Sequence, residues 1–329
     1  MKKSLLFLTA VLVSLPFWLG LNFMQKNVED FLAKRSINKS LTENPTAILA
    51  AQISPVRNGV SNGVTQPQGN IASSSLCNLP AISAESFLVL EINKQGQKKI
   101  ILEKNSQNKL PQASITKLMT YLVAIDFYKN DQPIKISQDV INQPESLGSL
   151  NEGEILEVKD LIPMMLIESS NDAAFALTKL IGQEGFVELM NLKTKELGLT
   201  NTYFYNPTGI DPEALNLPSD QINYSTAWDI AQLTEYLLFS QPEFLNIVSQ
   251  KEYPLYQANG KLHHILKNTN ELLEKMPTVI GGKTGTTDRA GECLMVIMKG
   301  KSPDNFFIGV VLNSKSRFED METLLNCDR

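Results

Sequence analysis

Residues 278–299 read TVIGGKTGTTDRAGECLMVIMK, and the architecture turns on this run. Its apolar part ends in Thr278-Val-Ile-Gly-Gly-Lys283. A second run, Glu292–Lys299, follows a glycine-rich turn, and a third spans Asn305–Asn313. Short segments rich in β-branched and large apolar residues, bounded by Gly, Asp and Asn, mark strands. The same pattern returns far upstream, where Ser86–Lys94 (SFLVLEINK) and Lys98–Lys104 (KKIILEK) flank Gln95-Gly96 as a β-hairpin. Between Asp131 and Gln250 helical periodicity takes over, at Val158–Ile167, Asp172–Ile181, Glu184–Leu197 and Thr226–Phe239. Thr226 and Asp229 stand at capping-box spacing at the start of the last of these. Further helices are predicted over Ser114–Tyr128 and from Arg317 to about Leu325. Strands at both ends with helices between predict an α/β chain of the α+β kind. One antiparallel sheet is assembled from N- and C-terminal segments, the helical middle is inserted as a lobe, and a cleft lies between them. The folded unit is expected over 81–329.

The N-terminal part reads differently. Lys2 and Lys3 precede Leu5–Met24, LLFLTAVLVSLPFWLGLNFM, which carries no charge. Twenty residues at a rise of about 1.5 Å span about 30 Å, the thickness of a bilayer's hydrocarbon core. The basic flank predicts an N-terminus left inside and a folded unit exported. A membrane anchor or signal segment is therefore expected over 1–24, and no small-x-small cleavage site follows Met24. Residues 25–80 are expected to form a flexible tether. Gln52–Pro80 carries one charge and many Gly, Ser, Asn, Gln and Pro, too little apolar surface to offset the entropy of ordering. Cys77 and Cys327 bracket the folded region and are candidates for a disulfide, while Cys293 lies in an apolar run and is expected to be buried.

Composition excludes several functions. Lys plus Arg is 30 and Asp plus Glu is 35, a net charge of −5, which leaves no basic footprint for nucleic acid. Two histidines and three cysteines are too few for a zinc ribbon or a His-rich metal site, so neither metal nor cofactor is expected. The histidines, His263 and His264, are neighbours, and neighbours on a strand point to opposite faces. A Ser-His-Asp triad is poorly served by that, so a serine nucleophile here needs another base. Lysine can serve if its pKa is pushed down by desolvation and nearby positive charge.

Ser114-Ile-Thr-Lys117 offers such a pair, because residues three apart share a helix face. Alone it means little: Ser36–Lys39 and Ser106–Lys109 have the same spacing. Ser169-Ser170-Asn171 follows 55 residues later, and Ser-x-Asn also recurs at Ser36, Ser106 and Ser149. Lys283-Thr284-Gly285 is unique in the chain and sits at the end of the apolar strand. The order Ser-x-x-Lys, Ser-x-Asn, Lys-Thr-Gly is shared by penicillin-binding proteins and class A β-lactamases.

The resemblance then becomes specific. The chain resembles the serine-type D-alanyl-D-alanine carboxypeptidases, the low-molecular-mass penicillin-binding proteins of peptidase family S11. The likeness runs from about residue 83 to 326. It includes ASITKLMT around Ser114, ESSNDAAFAL around Asn171, NPTGID through Asp211, YSTAWDIAQL, NTNELL at Asn268 and GGKTGTTDRAGECLMV. It implies a β-lactamase/penicillin-binding-protein-like fold and hydrolysis of the D-Ala-D-Ala bond of peptidoglycan stem peptides through an acyl-enzyme. Ser114 would be the nucleophile and Lys117 its base. Half-neutralising a lysine at pH 7 requires about 4.6 kcal/mol, part of it expected from repulsion by Lys283. Ser169 would relay the proton to the leaving amine, and Asn171 would bond the substrate backbone. Lys283 and Thr284 would hold the terminal carboxylate, and Gly285 would clear space for the substrate along the strand. The N–H groups of Ser114 and Thr286 would form the oxyanion hole, worth about 3–4 kcal/mol per donor. Stem peptides are the implied partners, and β-lactam antibiotics, which mimic D-Ala-D-Ala, the implied inhibitors. Many members carry a C-terminal β-domain and amphipathic anchor; here the membrane contact is expected through the N-terminal segment instead.

Two rival readings are kept. A class A-like β-lactamase has a loop Glu four residues before an Asn; in Asp211-Pro-Glu213-Ala-Leu-Asn216 the spacing is three from Glu213 and five from Asp211. A catalytically silent, membrane-anchored wall-binding protein would fail to attach labelled penicillin.

Overall fold

The computed structural model describes residues 82–145, 148–257 and 259–327. The expected anchor, the tether and Cys77 lie outside them. Among the described cysteines, Cys293 is free and buried and Cys327 is disulfide-bonded. No described helix is long and apolar enough to cross a membrane.

The strands that matter are β1 (Ser86–Asn93), β2 (Lys98–Lys104), β3 (Glu252–Tyr256), β4 (Leu262–Lys267), β5 (Val279–Thr287), β6 (Gly291–Lys299) and β7 (Asn305–Ser314). Five of them form one antiparallel sheet in the order β2-β1-β7-β6-β5. N- and C-terminal segments therefore interleave, with β1 hydrogen-bonded to β7. The hairpin β3–β4 pairs on its own.

Alternation along β1 sorts its side chains between two cores. Leu88, Leu90 and Ile92 face a large helical core, and Phe87 and Val89 face a smaller one on the opposite side. The helices are α1 (Lys117–Phe127), α2 (Val158–Ile167), α3 (Asn171–Ala176), α4 (Gln183–Glu196), α5 (Ala227–Ser240), α6 (Pro242–Val248) and α7 (Arg317–Asn326). Helix α1 is buried from Lys117 through Ala124, the all-round burial of a central helix. The smaller core is roofed by Met321, Leu324 and Leu325 of α7.

Several elements differ from the sequence expectation. Ser114 lies on a 3₁₀ turn, Ala113–Thr116, that runs directly into α1. The predicted helix over 172–181 is α3, capped by Ser170 Oγ on Ala173 N, followed by a 3₁₀ turn at Leu177–Leu180. Strand β5 does not stop at Lys283. Its pairing with β6 continues through Gly285↔Cys293, Thr286↔Glu292 and Thr287↔Gly291, so ladder hydrogen bonds override the glycine-rich composition. Thr226 caps α5 by accepting Asp229 N at 3.0 Å. The Asp229 carboxylate serves Asn201 N and Thr202 Oγ1 instead of closing a capping box.

Candidate active site

Three segments distant in sequence meet between the helical lobe and strand β5. The first is the turn bearing Ser114. Ala113 just before it has φ +46°, a left-handed conformation that costs a non-glycine residue of order 1 kcal/mol or more and persists only where surroundings enforce it. Gly209 does the enforcing. With φ +88°, its backbone packs so closely that an added Cβ would lie 1.9 Å from Ala113 O and 2.9 Å from Thr116 Oγ1. From the other side, a Cβ on Gly285 would lie 2.9 Å from Ser114 N and 3.2 Å from Gln112 O. Glycine at 285 lets β5 press against the nucleophile's own turn.

Lys117, one turn on, is fully buried. Its Nζ lies 2.7 Å from Ser114 Oγ, 2.7 Å from Asn171 Oδ1 and 2.8 Å from Thr208 O. Burial pushes its pKa down to about 7, against a smaller opposing pull from Glu145. An ammonium donates three hydrogen bonds, and a neutral amine donates two and offers one lone pair. Asn171 Oδ1 and Thr208 O can only accept, so on losing its proton Lys117 keeps both of these bonds. The lone pair is then left for Ser114, whose hydroxyl is the one partner of the three able to reverse and donate. Geometry alone makes the neutral amine an acceptor for the Ser114 proton.

The amide of Asn171 is oriented by its other end, since Nδ2 donates to Pro144 O at 3.2 Å and Glu145 O at 3.3 Å. Asn171, expected to bond the substrate backbone, bonds Lys117 through Oδ1 and that loop through Nδ2, and Oδ1 keeps a second lone pair. Replacing Glu145 by Gln removes a charge that favours the ammonium. The acid limb of any Lys117-dependent rate should then move to lower pH, and only slightly given the exposure of Glu145. A pH–rate profile of E145Q checks this; a shift to higher pH would contradict it.

Thr208 O is placed by residues that the sequence reading did not single out. Asn206 Oδ1 accepts from Thr208 N, Thr208 Oγ1 and Gly209 N. Asn223 in turn accepts from Tyr205 N and Asn206 N and donates to Thr116 Oγ1 and Asn206 O. Both are almost fully buried, and every side-chain atom able to bond is bonded, the condition for a buried polar network to hold one geometry.

The second segment brings Ser169, with φ +64°. Its Oγ accepts from Lys283 Nζ at 2.7 Å. Lys283 and Thr284 belong to the third segment, β5. Lys283 Nζ also donates to Thr284 O at 2.9 Å, and Thr284 Oγ1 lies 2.6 Å from Thr269 Oγ1. Burial first, then Lys117 and Arg317, holds the Lys283 pKa well below its ordinary value. The repulsion between the Lys117 and Lys283 ammoniums, expected to help depress Lys117, is mutual, and at both lysines burial is the larger cause.

Arg317, at the start of α7, was not recognised from sequence, where a lone arginine outside any motif carries no signal. Its Nη1 donates to Gly285 O at 3.0 Å and also bonds Thr286 Oγ1. A guanidinium therefore stands at the exposed end of the Lys-Thr-Gly strand, beside Thr286. The loop considered for a deacylating carboxylate is engaged elsewhere. Asp211 accepts from Thr287 Oγ1 at 2.7 Å and Arg289 N at 3.0 Å, and Glu213 accepts from Arg289 Nη1 at 3.2 Å. Both carboxylates brace the β5–β6 turn.

Residues 73–316 match the family model of peptidase S11, described as D-alanyl-D-alanine carboxypeptidase. The carboxypeptidase DacF of Bacillus subtilis is 34% identical over 67% of this chain and 55% of its own length. DacC of Escherichia coli is 33% identical over 75% of this chain and 61% of its own. The chain thus spans little more than half the length of these relatives. A D-alanyl-D-alanine endopeptidase of Escherichia coli is 28% identical over 70% of this chain and 72% of its own. Among solved structures, penicillin-binding protein D2 of Listeria monocytogenes in its ampicillin-bound form superposes with a TM-score of 0.64 at 28% identity. That match covers 75% of this chain and 98% of that one. The fold is a penicillin-binding-protein fold, with its five-stranded antiparallel sheet built from both ends of the chain.

Proposed function

The chain belongs to peptidase family S11, and from that premise we propose that it is an active serine-type D-Ala-D-Ala carboxypeptidase acting on peptidoglycan stem peptides. The observation that carries this reading is the bond set of Lys117: two obligate acceptors and the Ser114 hydroxyl around one buried nitrogen. Ser114 Oγ attacks the carbonyl carbon between the two D-alanines while its proton passes to Lys117 Nζ. The carbonyl oxygen becomes an oxyanion held by the N–H groups of Ser114 and Thr286. The C–N bond then breaks, and the departing amine takes up the proton that Lys117 received, passed on through the hydroxyl of Ser169, which Lys283 holds in place. Free D-alanine leaves, and water, deprotonated by the Lys117 amine now neutral again, hydrolyses the acyl-enzyme and returns the proton to Ser114. Lys283, Thr284 and Arg317 supply positive charge and hydrogen bonds for the terminal carboxylate of the substrate.

A β-lactam presents a strained amide to the same nucleophile, so penicillins should acylate Ser114. Cleavage of peptide cross-links, suggested by the endopeptidase relatives, needs only a longer leaving group and the same bond chemistry. The uncharged Leu5–Met24 after Lys2 and Lys3 supports a membrane anchor with its N-terminus inside, which puts the folded unit on the side where peptidoglycan lies.

The test is incubation with a pentapeptide stem ending in D-Ala-D-Ala. Mass spectrometry should record loss of one alanine residue, abolished in Ser114→Ala. An unchanged stem with the wild-type chain would defeat the reading.

A further inference from the structure

The hairpin β3–β4 leans on the end of helix α2, where Ser169 emerges. His263 and His264, expected to point apart, instead turn their rings toward each other, with Nδ1 atoms 2.6 Å apart and ring centroids at 4.8 Å. On the outer sides, His264 Nε2 lies 3.1 Å from Glu168 Oε2, and His263 Nε2 lies 2.9 Å from Glu154 Oε1. That second approach is off the N–H axis, an ion contact rather than a hydrogen bond. All four side chains are substantially buried, with exposures of 6% and 27% for the histidines and 12% for each glutamate. Other charged groups in reach are Asp160 of α2, which senses His263, and Lys261 from the hairpin turn. Ser149 Oγ donates weakly to Glu168 Oε1 at 3.4 Å. An open cavity of about 310 Å³, lined in part by Ser149, Lys261 and both imidazoles, gives solvent protons access to the pair. Among the described residues no group of these side chains is arranged to hold a metal ion.

The Nδ1 contact fixes how the two rings share hydrogen. Two Nδ1 atoms at 2.6 Å share one hydrogen, since one must accept what the other donates. On the outer side, His264 Nε2 is within hydrogen-bond distance of Glu168 Oε2. Hydrogen on both Nδ1 atoms would set two N–H groups against each other and drive the rings apart.

Glu168 is the residue immediately before Ser169, and Ser169 sits in the left-handed region, a conformation that surroundings must impose. On one side Thr269, just beyond β4, donates its N–H to Ile167 O at 3.2 Å. On the other, Ser170 N donates to Met164 O at 3.1 Å. Glu168 is held by His264. We propose that His264 is a positioning residue for Ser169: by holding Glu168 it fixes the turn that presents Ser169 to Lys283, and it does so only while the histidine pair shares a single Nδ1 hydrogen.

This rests on the acyl-transfer reading above, and the experiment separates the two. The full-length chain in detergent is labelled with a fluorescent penicillin at pH 5 to 9, and the covalent rate is followed. For His264→Ala the rate at pH 8 should fall about tenfold, the scale of a misplaced group near a reacting centre. His264→Gln reaches Glu168 with an amide N–H but cannot share the proton, so at pH 8 it should restore most of the rate. The pH dependence is the decisive readout. Lys117 alone gives an acid limb of about tenfold per pH unit. The wild-type limb should be steeper, because the histidine pair is also lost on acidification, and the limb of His264→Gln should revert to the single-proton slope. Superimposable acid limbs for wild type and His264→Gln, or a wild-type rate for His264→Ala at pH 8, would overturn the proposal. If His264→Ala does not fold, the His264→Gln limb decides. A wild-type chain that takes no label at any pH defeats the acyl-transfer reading instead.

Discussion

Lys117→Ala should acylate with penicillin about 10²–10⁴-fold more slowly than the wild-type chain, the range that a positioned general base contributes. The side chain is buried among acceptors, with Ser114 Oγ, Asn171 Oδ1 and Thr208 O all within 2.8 Å, so no solvent base can take its place without rearranging the site. Its sign with pH is fixed by the direction of the pKa. A lysine at about 7 is neutral and able to accept a proton above that pH. The wild-type acylation rate should therefore climb through pH 7 to an alkaline plateau. Below pH 7 each unit should remove at least a factor of about ten. Stopped-flow acylation across pH 5 to 9 checks both statements. A profile flat from pH 5 to 9, or a Lys117→Ala chain within threefold of wild type, would contradict them.

Gly209→Ala should be the most damaging single methyl in the molecule outside the reacting groups. The new Cβ would lie 1.9 Å from Ala113 O, an overlap with backbone that no rotamer change relieves, on a residue already at φ +88°. Left-handed strain and forced overpacking together cost about 3 kcal/mol or more. For a domain of this size that lowers the melting temperature by roughly 6–12 °C. Relief must come from shifting Ala113, which carries Ser114 with it, so penicillin labelling should fall even in the fraction that stays folded. Thermal unfolding and labelling of the purified variant test this together. A melting temperature within 2 °C of wild type would show that the Gly209 contact does not set the Ala113 turn.

Local signals carried the sheet and the Ser114–Lys117 pair. Alternation in Ser86–Lys94 found a strand whose Leu88 and Val89 do separate into different cores. The three-residue spacing of Ser114 and Lys117 put their functional atoms 2.7 Å apart. What stayed hidden depends on partners remote in the chain. Thr208 reaches Lys117 across 91 positions, and Lys283 reaches Ser169 across 114. A glycine-rich run reads as a turn until β6 is seen beside it. Nothing near Gly285 in the sequence signals that Ser114 N packs against it. His263 and His264 read as opposite-facing strand residues because strand geometry says so. Glu154 and Glu168, on the helical lobe, bring the rings together in a way that no local pattern encodes.

The central claim is that the amine of Lys117 is uncharged near neutrality and turned toward Ser114. Its most direct measure is the titration of that nitrogen by NMR in protein carrying ¹⁵N-labelled lysine, with the resonance assigned by its disappearance in Lys117→Ala. A midpoint near pH 7 is the expected result; an ammonium that persists past pH 10 would contradict the account.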